Sequence, residues 1–179
     1  MKIKIRDLSA YNHVEITHLF KNTFEASEGE IEGKIIGNLA SELSSVIDSS
    51  NVSCVGAFHQ DSLIGAAFIT TLRFDQDFNV QMLAPVAVAT DFQRKGVGQQ
   101  LITEVIERLT KKGVDMLITY GDPNYYSKVG FSGLDVKGVP APLPLSMPIG
   151  WLGQTLNRSK PAQLTGPRCV KQFENPNLW

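Results

Sequence analysis

The sequence contains few of the residues that hold metals or build disulfide frameworks. Among its 179 residues are two cysteines and three histidines. Cys54 and Cys169 are far apart and lack metal-like spacing, so they predict neither a zinc site nor a disulfide framework. His13, His18 and His59 also lack ligand spacing, and we expect them at the surface. The sequence therefore predicts no bound metal.

The chain also lacks a strong charge of either sign and a long apolar run. Its 17 basic and 18 acidic residues give a formal net charge of -1, which provides no general attraction to nucleic acid or to a membrane surface. The first six residues alternate polar and apolar side chains, unlike a signal peptide, and no segment suits a membrane span. We therefore expect a cytoplasmic protein with neither nucleic acid nor membrane as a partner.

The size and composition suit one globular domain with a sizeable core, since 42% of the residues are hydrophobic. Alternating or β-branched runs predict strands, and apolar residues at helical spacing predict helices. Their order is a strand, two helices, a hairpin, a strand, a long helix, a strand and a short helical turn. The predicted ranges are 2–6, 14–24, 31–47, 52–58 with 63–72, 81–89, 96–112, 114–120 and 125–128.

The last part of the chain differs in composition. Four prolines lie between positions 140 and 148, which predicts extended rather than helical backbone. Apolar residues alternate over 143–149 and predict a last strand. We interpret residues 1–136 as the core domain and 137–179 as a Pro-rich extension. Apolar side chains would pack this extension on the core: Trp151, Leu152, Phe173 and Trp179.

A glycine-bearing loop between a predicted strand and the longest predicted helix is the main functional signal. It reads Gln93-Arg94-Lys95-Gly96-Val97-Gly98. At a helix N-terminus, unpaired N–H groups and the positive end of the helix dipole bind anions, most often phosphate. Arg94 and Lys95 add positive charge. We therefore expect a phosphorylated ligand at this loop.

Three known glycine loops compete as explanations of this site. A Walker A loop needs four residues between its glycines and then Lys-Ser/Thr, whereas a single residue separates Gly96 from Gly98. A dinucleotide-binding loop needs a third glycine where Leu101 stands, early in a βαβ unit, but the first long strands predict a hairpin. The third pattern, Gln/Arg-x-x-Gly-x-Gly/Ala, fits Gln93-x-x-Gly96-x-Gly98. The spacing therefore argues against an NTPase and against a dehydrogenase.

The third pattern resembles the pyrophosphate loop of the GNAT superfamily of acyl-CoA-dependent N-acetyltransferases. A second motif, Gly121-Asp122-Pro123-x-Tyr125-Tyr126-x-Lys128-x-Gly130-Phe131, is similar to that of one GNAT branch. The resemblance implies an α/β fold with a mixed, mostly antiparallel central sheet, splayed where CoA enters and flanked by helices on both faces. It also implies transfer of an acetyl group from acetyl-CoA to a primary amine of a small molecule or peptide.

The same resemblance implies which residues bind acetyl-CoA. The glycine loop would hold the pyrophosphate of CoA through its backbone N–H groups, and the backbone of the preceding strand would pair with the pantetheine amides, as an added strand does. The residues concerned are Val86, Ala87, Val88, Gln93, Arg94, Lys95, Gly96, Val97, Gly98 and Gln99.

The resemblance places a catalytic tyrosine at Tyr126, with Tyr125 as the competing choice. Its phenol would protonate the thiolate that leaves when the amine attacks the thioester. Asp122 could bind the substrate ammonium, serve as a base, or cap the short turn that begins at Pro123. Residues 81–89 contain no carboxylate, so deprotonation of the amine would go through water or through a residue of the N-terminal helices.

Neither cysteine lies in the motifs, which favours direct transfer in a ternary complex over a covalent enzyme intermediate. The missing strand carboxylate keeps an alternative open, a non-catalytic acyl-CoA-binding module that acts as a sensor or interaction domain. The sequence also leaves the oligomeric state open, with a homodimer as the usual default.

Overall fold

The computed structural model describes residues 1–47 and 49–179, which form an α/β fold. The predicted helices, hairpin and strands up to residue 128 are present, with ends shifted by a few residues. The helices and strands are β1 (Lys4–Asp7), α1 (His13–Glu28), α2 (Glu30–Ser44), β2 (Val52–His59), β3 (Ser62–Leu72), β4 (Val80–Val88), α3 (Val97–Lys111), β5 (Met116–Tyr120), α4 (Pro123–Tyr126), β6 (Ser132–Gly133) and β7 (Trp151–Thr155).

All of these strands belong to one sheet in the order β1-β2-β3-β4-β5-β7-β6. β1 pairs antiparallel with β2, and β7 pairs antiparallel with both β5 and β6. β4 and β5 are parallel, with Val80–Met82 opposite Met116–Ile118. The predicted mixed, mostly antiparallel sheet is therefore confirmed.

The chain divides into two compact units. The first consists of Met1–Ile69 and Pro85–Val105, and the second of Thr70–Ala84 and Ile106–Trp179.

In the first unit, α1 and α2 approach each other closely through glycines. A Cβ atom at Gly33 would lie 2.6 Å from Glu25 Cβ, and one at Gly37 would lie 3.0 Å from Lys21 Cβ. Larger residues at these two positions would push the helices apart. On its buried side, α1 places Phe20 against Phe68 of β3, with ring centroids 5.2 Å apart.

In the second unit, the Pro-rich part of the chain supplies a sheet strand, but not where the alternation of apolar residues predicts one. The strand is β7 (Trp151–Thr155), and the prediction of a strand over 143–149 is wrong. Proline has no N–H to donate to a ladder, whereas each residue of β7 has one. Trp151 is fully buried, and its Nε1 donates to Val139 O at 2.9 Å.

A buried carboxylate fixes the entry into β5. Asp115 accepts hydrogen bonds from Arg158 Nε to Oδ1 at 2.9 Å and from Arg158 Nη2 to Oδ2 at 2.7 Å. The backbone N–H of Asn79 also donates to Oδ2, at 2.9 Å. The hydrogen bonds from Arg158 hold the pKa of Asp115 below its usual value, against the opposing effect of burial.

Over the described residues, no helix is long and apolar enough to cross a membrane. Within the same ranges, no cluster of three or more His, Cys, Asp or Glu side chains is arranged to hold a metal ion.

Candidate active site

The predicted anion-binding loop is a tight turn that leads from β4 into α3. Arg94 (φ 59°) and Gly96 (φ 80°) both adopt the left-handed backbone conformation. α3 begins at Val97, and Gln100 N–H donates to Gly96 O at 3.0 Å. Because the first turn of a helix has no intrahelical acceptors for its N–H groups, the N–H groups ahead of Gln100 are available to an anion.

The side chains of the loop leave its centre open. A Cβ atom at Gly96 would meet only Gln100 Nε2, at 3.9 Å. Gln93 Nε2 donates to Val88 O at 3.0 Å and so ties the turn to the end of β4. Lys95 Nζ lies 5.6 Å from the centroid of the Phe92 ring, a cation–π contact. The polar residues predicted to bind the ligand are exposed, namely Gln93, Arg94, Lys95 and Gln99. Val97 and Gly98 are buried.

The three predicted pantetheine-binding residues form the end of β4. Ala87 is buried, whereas Val86 and Val88 are half-buried. Gly65 allows close contact with this segment, since a Cβ atom there would lie 3.2 Å from Ala87 O. The N–H of Ala89, just past the strand, donates to Ile64 O at 2.9 Å. One edge of the β4 end therefore contacts β3.

Tyr126 lies in α4, within an aromatic cluster. Its ring centroid is 5.2 Å from that of Tyr125 and 5.5 Å from that of Phe131, both edge-to-face. Burial raises the pKa of Tyr126 to about 12; a hydrogen bond with Thr119 opposes this shift, and the proximity of Tyr125 adds to it. A tyrosine phenol is protonated at neutral pH even at its ordinary pKa, and the raised pKa extends this to higher pH, so the phenol can act as a proton donor. Burial also raises the pKa of Tyr125.

Asp122 caps α4. Its Oδ1 accepts the N–H of Asn124 at 2.9 Å, and its backbone carbonyl accepts the N–H groups of Tyr125 and Tyr126, both at 3.1 Å. Of the roles considered for this carboxylate, helix capping is the one these contacts show. The side chain is exposed, so it is also accessible to a ligand.

Two further residues lie beside Tyr126: Gly121 of the second motif and Thr119, which the sequence did not single out. Gly121 lies against the ring, since a Cβ atom there would be 2.7 Å from Tyr126 Cε2. Thr119 is fully buried, and its Oγ1 donates to Leu83 O at 2.7 Å, one residue beyond the β4–β5 ladder. Gly121 belongs to a recognisable motif, but a threonine in an apolar strand gives no signal of its own.

The predicted site residues therefore form two groups. The β4 end and the glycine loop belong to the first compact unit, and Asp122, Tyr125 and Tyr126 belong to the second.

Comparisons with known proteins agree with the fold and with the expected family. A family model of the acetyltransferase (GNAT) domain matches residues 4–133. The chain is 32% identical over 129 residues to the uncharacterized N-acetyltransferase YjhQ of Escherichia coli, an alignment that covers 68% of this chain and 71% of that protein.

Solved structures share the fold. A GNAT family N-acetyltransferase, YhbS of Escherichia coli in complex with CoA, superposes with a TM-score of 0.76 at 20% identity, covering 98% of this chain and 93% of that one. A GNAT family acetyltransferase from Brucella melitensis in complex with acetyl-CoA gives 0.72 at 18% identity, covering 97% and 99%. An aminoglycoside acetyltransferase, meta-AAC0020 from a soil metagenomic sample in complex with sisomicin, gives 0.57 at 20% identity, covering 72% and 87%.

At these sequence identities, the solved structures show only that the fold is shared. The family model, by contrast, spans well over half of the chain, and YjhQ is more than 30% identical over two thirds of it. The chain therefore belongs to the GNAT acetyltransferase family.

Proposed function

We propose that this protein is an N-acetyltransferase that moves an acetyl group from acetyl-CoA to a primary amine within a ternary complex. The observation that carries the proposal is the turn at 93–98, where two left-handed residues open the first turn of α3 beside the exposed guanidinium of Arg94. Such a turn has the N–H groups, the helix dipole and the positive charge that a pyrophosphate needs.

The donor would lie along the β4 end and the loop. Backbone N–H groups of residues 94–99 would bind the pyrophosphate oxygens, which can approach closely over Gly96 because it has no Cβ. The backbone of Val86–Val88 would pair with the pantetheine amides. Lys95 packs on Phe92, so its ammonium would contribute to the field around the loop from beside it.

Acetyl-CoA would supply a thioester whose carbonyl carbon forms a bond to the amine nitrogen while its bond to sulfur breaks. Tyr126 would donate its phenolic proton to the departing sulfur, since a tyrosine phenol is protonated at neutral pH and the raised pKa of Tyr126 extends this to higher pH. Gly121 and Thr119 would hold the ring in place. The exposed carboxylate of Asp122 would attract the substrate ammonium while it continues to cap α4.

The proton lost by the amine would leave through water or through a residue outside β4. Residues 80–88 contain no carboxylate, so the strand next to the loop supplies no general base. This same absence favours one alternative, a domain that binds acyl-CoA without catalysis.

Two measurements test the proposal together. The first is the melting temperature with acetyl-CoA, CoA, ATP or NADH, because a ligand that binds the native state raises it. The second is release of free thiol from acetyl-CoA in the presence of a panel of primary amines. We expect stabilisation by acetyl-CoA and CoA alone, together with amine-dependent thiol release.

The outcomes separate the candidate functions. Stabilisation by acetyl-CoA without thiol release for any amine would support the non-catalytic module. Stabilisation by ATP or NADH but not by CoA would refute both acyl-CoA functions.

A further inference from the structure

The Pro-rich segment lines an open cavity of about 410 Å³, formed by apolar side chains. Its size falls within the range of small-molecule sites, roughly 300–1,000 Å³. The lining side chains are all apolar and none carries a charge: Val136, Pro140, Ala141, Pro142, Leu143, Pro144, Leu145 and Pro148. Two neighbouring side chains extend the apolar surface, since Met147 and Ile149 are 62% and 72% exposed.

This segment is attached to the carboxyl end of β5. Met147 N–H donates to Tyr120 Oη at 2.7 Å, and Ser146 Oγ lies 3.1 Å from the same oxygen. Gly121 N–H donates to Gly150 O at 3.0 Å. Gly150 leaves no space at this junction, because a Cβ atom there would lie 3.0 Å from Gly121 O.

The same β5 end carries the candidate catalytic residues. Gly121, whose N–H donates to Gly150 O, also lies against the Tyr126 ring. A Cβ atom added at Gly121 would lie 2.7 Å from Tyr126 Cε2. Asp122 follows directly and presents an exposed carboxylate. Gly121 therefore links the Pro-rich segment, through its hydrogen bond to Gly150, with the candidate general acid, whose ring it contacts.

The chemistry of this arrangement selects among amines. In an acceptor that reaches both sites, the ammonium group would lie near Asp122 and the apolar body would leave water for the cavity, which is favourable in proportion to the area buried. A polycation would instead place further charges against proline and leucine side chains, where they would lose hydration without a partner.

We propose that this cavity holds the apolar body of the acceptor, so that the acceptor is a monoamine with an aliphatic or aromatic body and not a polycation. The inference rests on the proposed acetyl transfer and names the substrate class for it. It sets this chain apart from the structural neighbour in complex with sisomicin, whose fold it shares.

A homologous series of linear amines from propylamine to octylamine tests the inference, with phenethylamine, spermidine and sisomicin alongside. The measurement is kcat/KM from thiol release. We expect kcat/KM to rise about threefold to fourfold for each added methylene until the cavity is filled, the factor that corresponds to burying one CH₂. Phenethylamine should also be a good acceptor, and spermidine and sisomicin poor ones.

Substitutions at lining residues test whether the cavity causes the rise of kcat/KM with chain length. Leu145→Asp should lower kcat/KM for octylamine by about tenfold or more and flatten the rise with chain length. Pro144→Asp changes an exposed lining residue and repeats the test should Leu145→Asp fold poorly. Ile31→Asp is the matched control, because Ile31 of α2 is 78% exposed and lies outside the cavity; it should leave the series unchanged.

Each outcome bears on the inference. A rise with chain length that both lining variants flatten supports it. Turnover without chain-length dependence, preference for sisomicin or spermidine, or a rise that persists in both lining variants overturns it while leaving the acetyl transfer intact. Absence of turnover with every amine refutes the proposed function and this inference with it.

Discussion

Tyr126 has a protonated phenol and packs its ring against Gly121, which has no side chain. Removal of its hydroxyl tests the proton donation directly. We expect Tyr126→Phe to lower kcat by on the order of 10²–10⁴-fold, the usual contribution of a general acid, with KM for acetyl-CoA nearly unchanged. Because the pKa of Tyr126 is raised to about 12, wild-type activity should not decline through the loss of this proton near pH 10. Steady-state kinetics across pH with an accepted amine provide the measurement.

Tyr125→Phe is the control for this experiment, since Tyr125 is the neighbouring phenol in the same cluster. It should retain most of the activity. If Tyr126→Phe keeps wild-type turnover and Tyr125→Phe loses it, the two roles are exchanged. If both keep it, neither tyrosine is the general acid.

Gly121 offers a way to move the phenol without removing it. In Gly121→Ala the new methyl group would lie 2.7 Å from Tyr126 Cε2, so the ring must shift. A misplacement of about 1 Å can cost on the order of 10²-fold in rate, and we expect kcat to fall accordingly while acetyl-CoA still raises the melting temperature. Gly133→Ala is the matched control, because nothing lies within 4 Å of its added Cβ. Unchanged kcat in Gly121→Ala would show that the ring position is not critical.

These residues also show how far the sequence alone can predict a site. The turn at 93–98 and the short helix that carries Tyr126 were predictable because each lies in a local motif whose spacing carries the information; the roles assigned to them stay predictions. The hydrogen bond from Thr119 to Leu83 was not predictable, because it joins two strands through the fold. A long-range contact leaves no pattern in neighbouring positions.

Helix α3 has a left-handed glycine before its first residue and another after its last turn. Gly96 (φ 80°) precedes the helix and Gly113 (φ 75°) follows it. We expect Gly96→Ala and Gly113→Ala to cost similar stability, about 1–2 kcal/mol each, because alanine is strained in this conformation. Only Gly96→Ala should weaken acetyl-CoA binding, by about tenfold, equivalent to about 1.4 kcal/mol, since its methyl group enters the space proposed for the pyrophosphate.

Denaturant unfolding and titration with acetyl-CoA measure the two effects separately. The comparison removes the general cost of strain, because both glycines have nearly the same φ. Equal loss of acetyl-CoA affinity in the two variants would argue against a pyrophosphate site over Gly96.

The elements themselves differed in how well their patterns predicted them. The helix that the spacing of apolar residues predicts is present as α3, because a helix forms from hydrogen bonds between residues close in sequence. The alternation over 143–149 failed because its prolines cannot take part in a ladder. β7 forms at 151–155 instead, where Gly153 lets Met116 and Leu134 approach, with an added Cβ 2.7 Å and 2.8 Å from their side chains.

Near neutral pH, the dependence of the free energy of unfolding on pH should come from particular carboxylates rather than from the overall charge of the chain. The formal net charge is only -1, so general charge repulsion is weak near neutral pH. Two aspartates have lowered pKa values because arginines donate hydrogen bonds to them: Asp115 beside Arg158, and Asp75 beside Arg168. The Asp115 side chain is 5% exposed and that of Asp75 is 54% exposed, so water screens the second pair more strongly.

This contrast predicts how unfolding will depend on pH. Because the pKa of Asp115 in the folded state lies below its unfolded value of about 3.9, its contribution is complete above that value. It is lost as pH falls through the folded pKa. Asp115→Asn should therefore lower the free energy of unfolding most above about pH 5, and the difference from wild type should shrink as the pH falls below about 4. Asp75→Asn should show a smaller difference throughout. Denaturant unfolding between neutral and acid pH measures both, and a pH-independent cost for Asp115→Asn would mean that shape, not charge, holds the entry to β5.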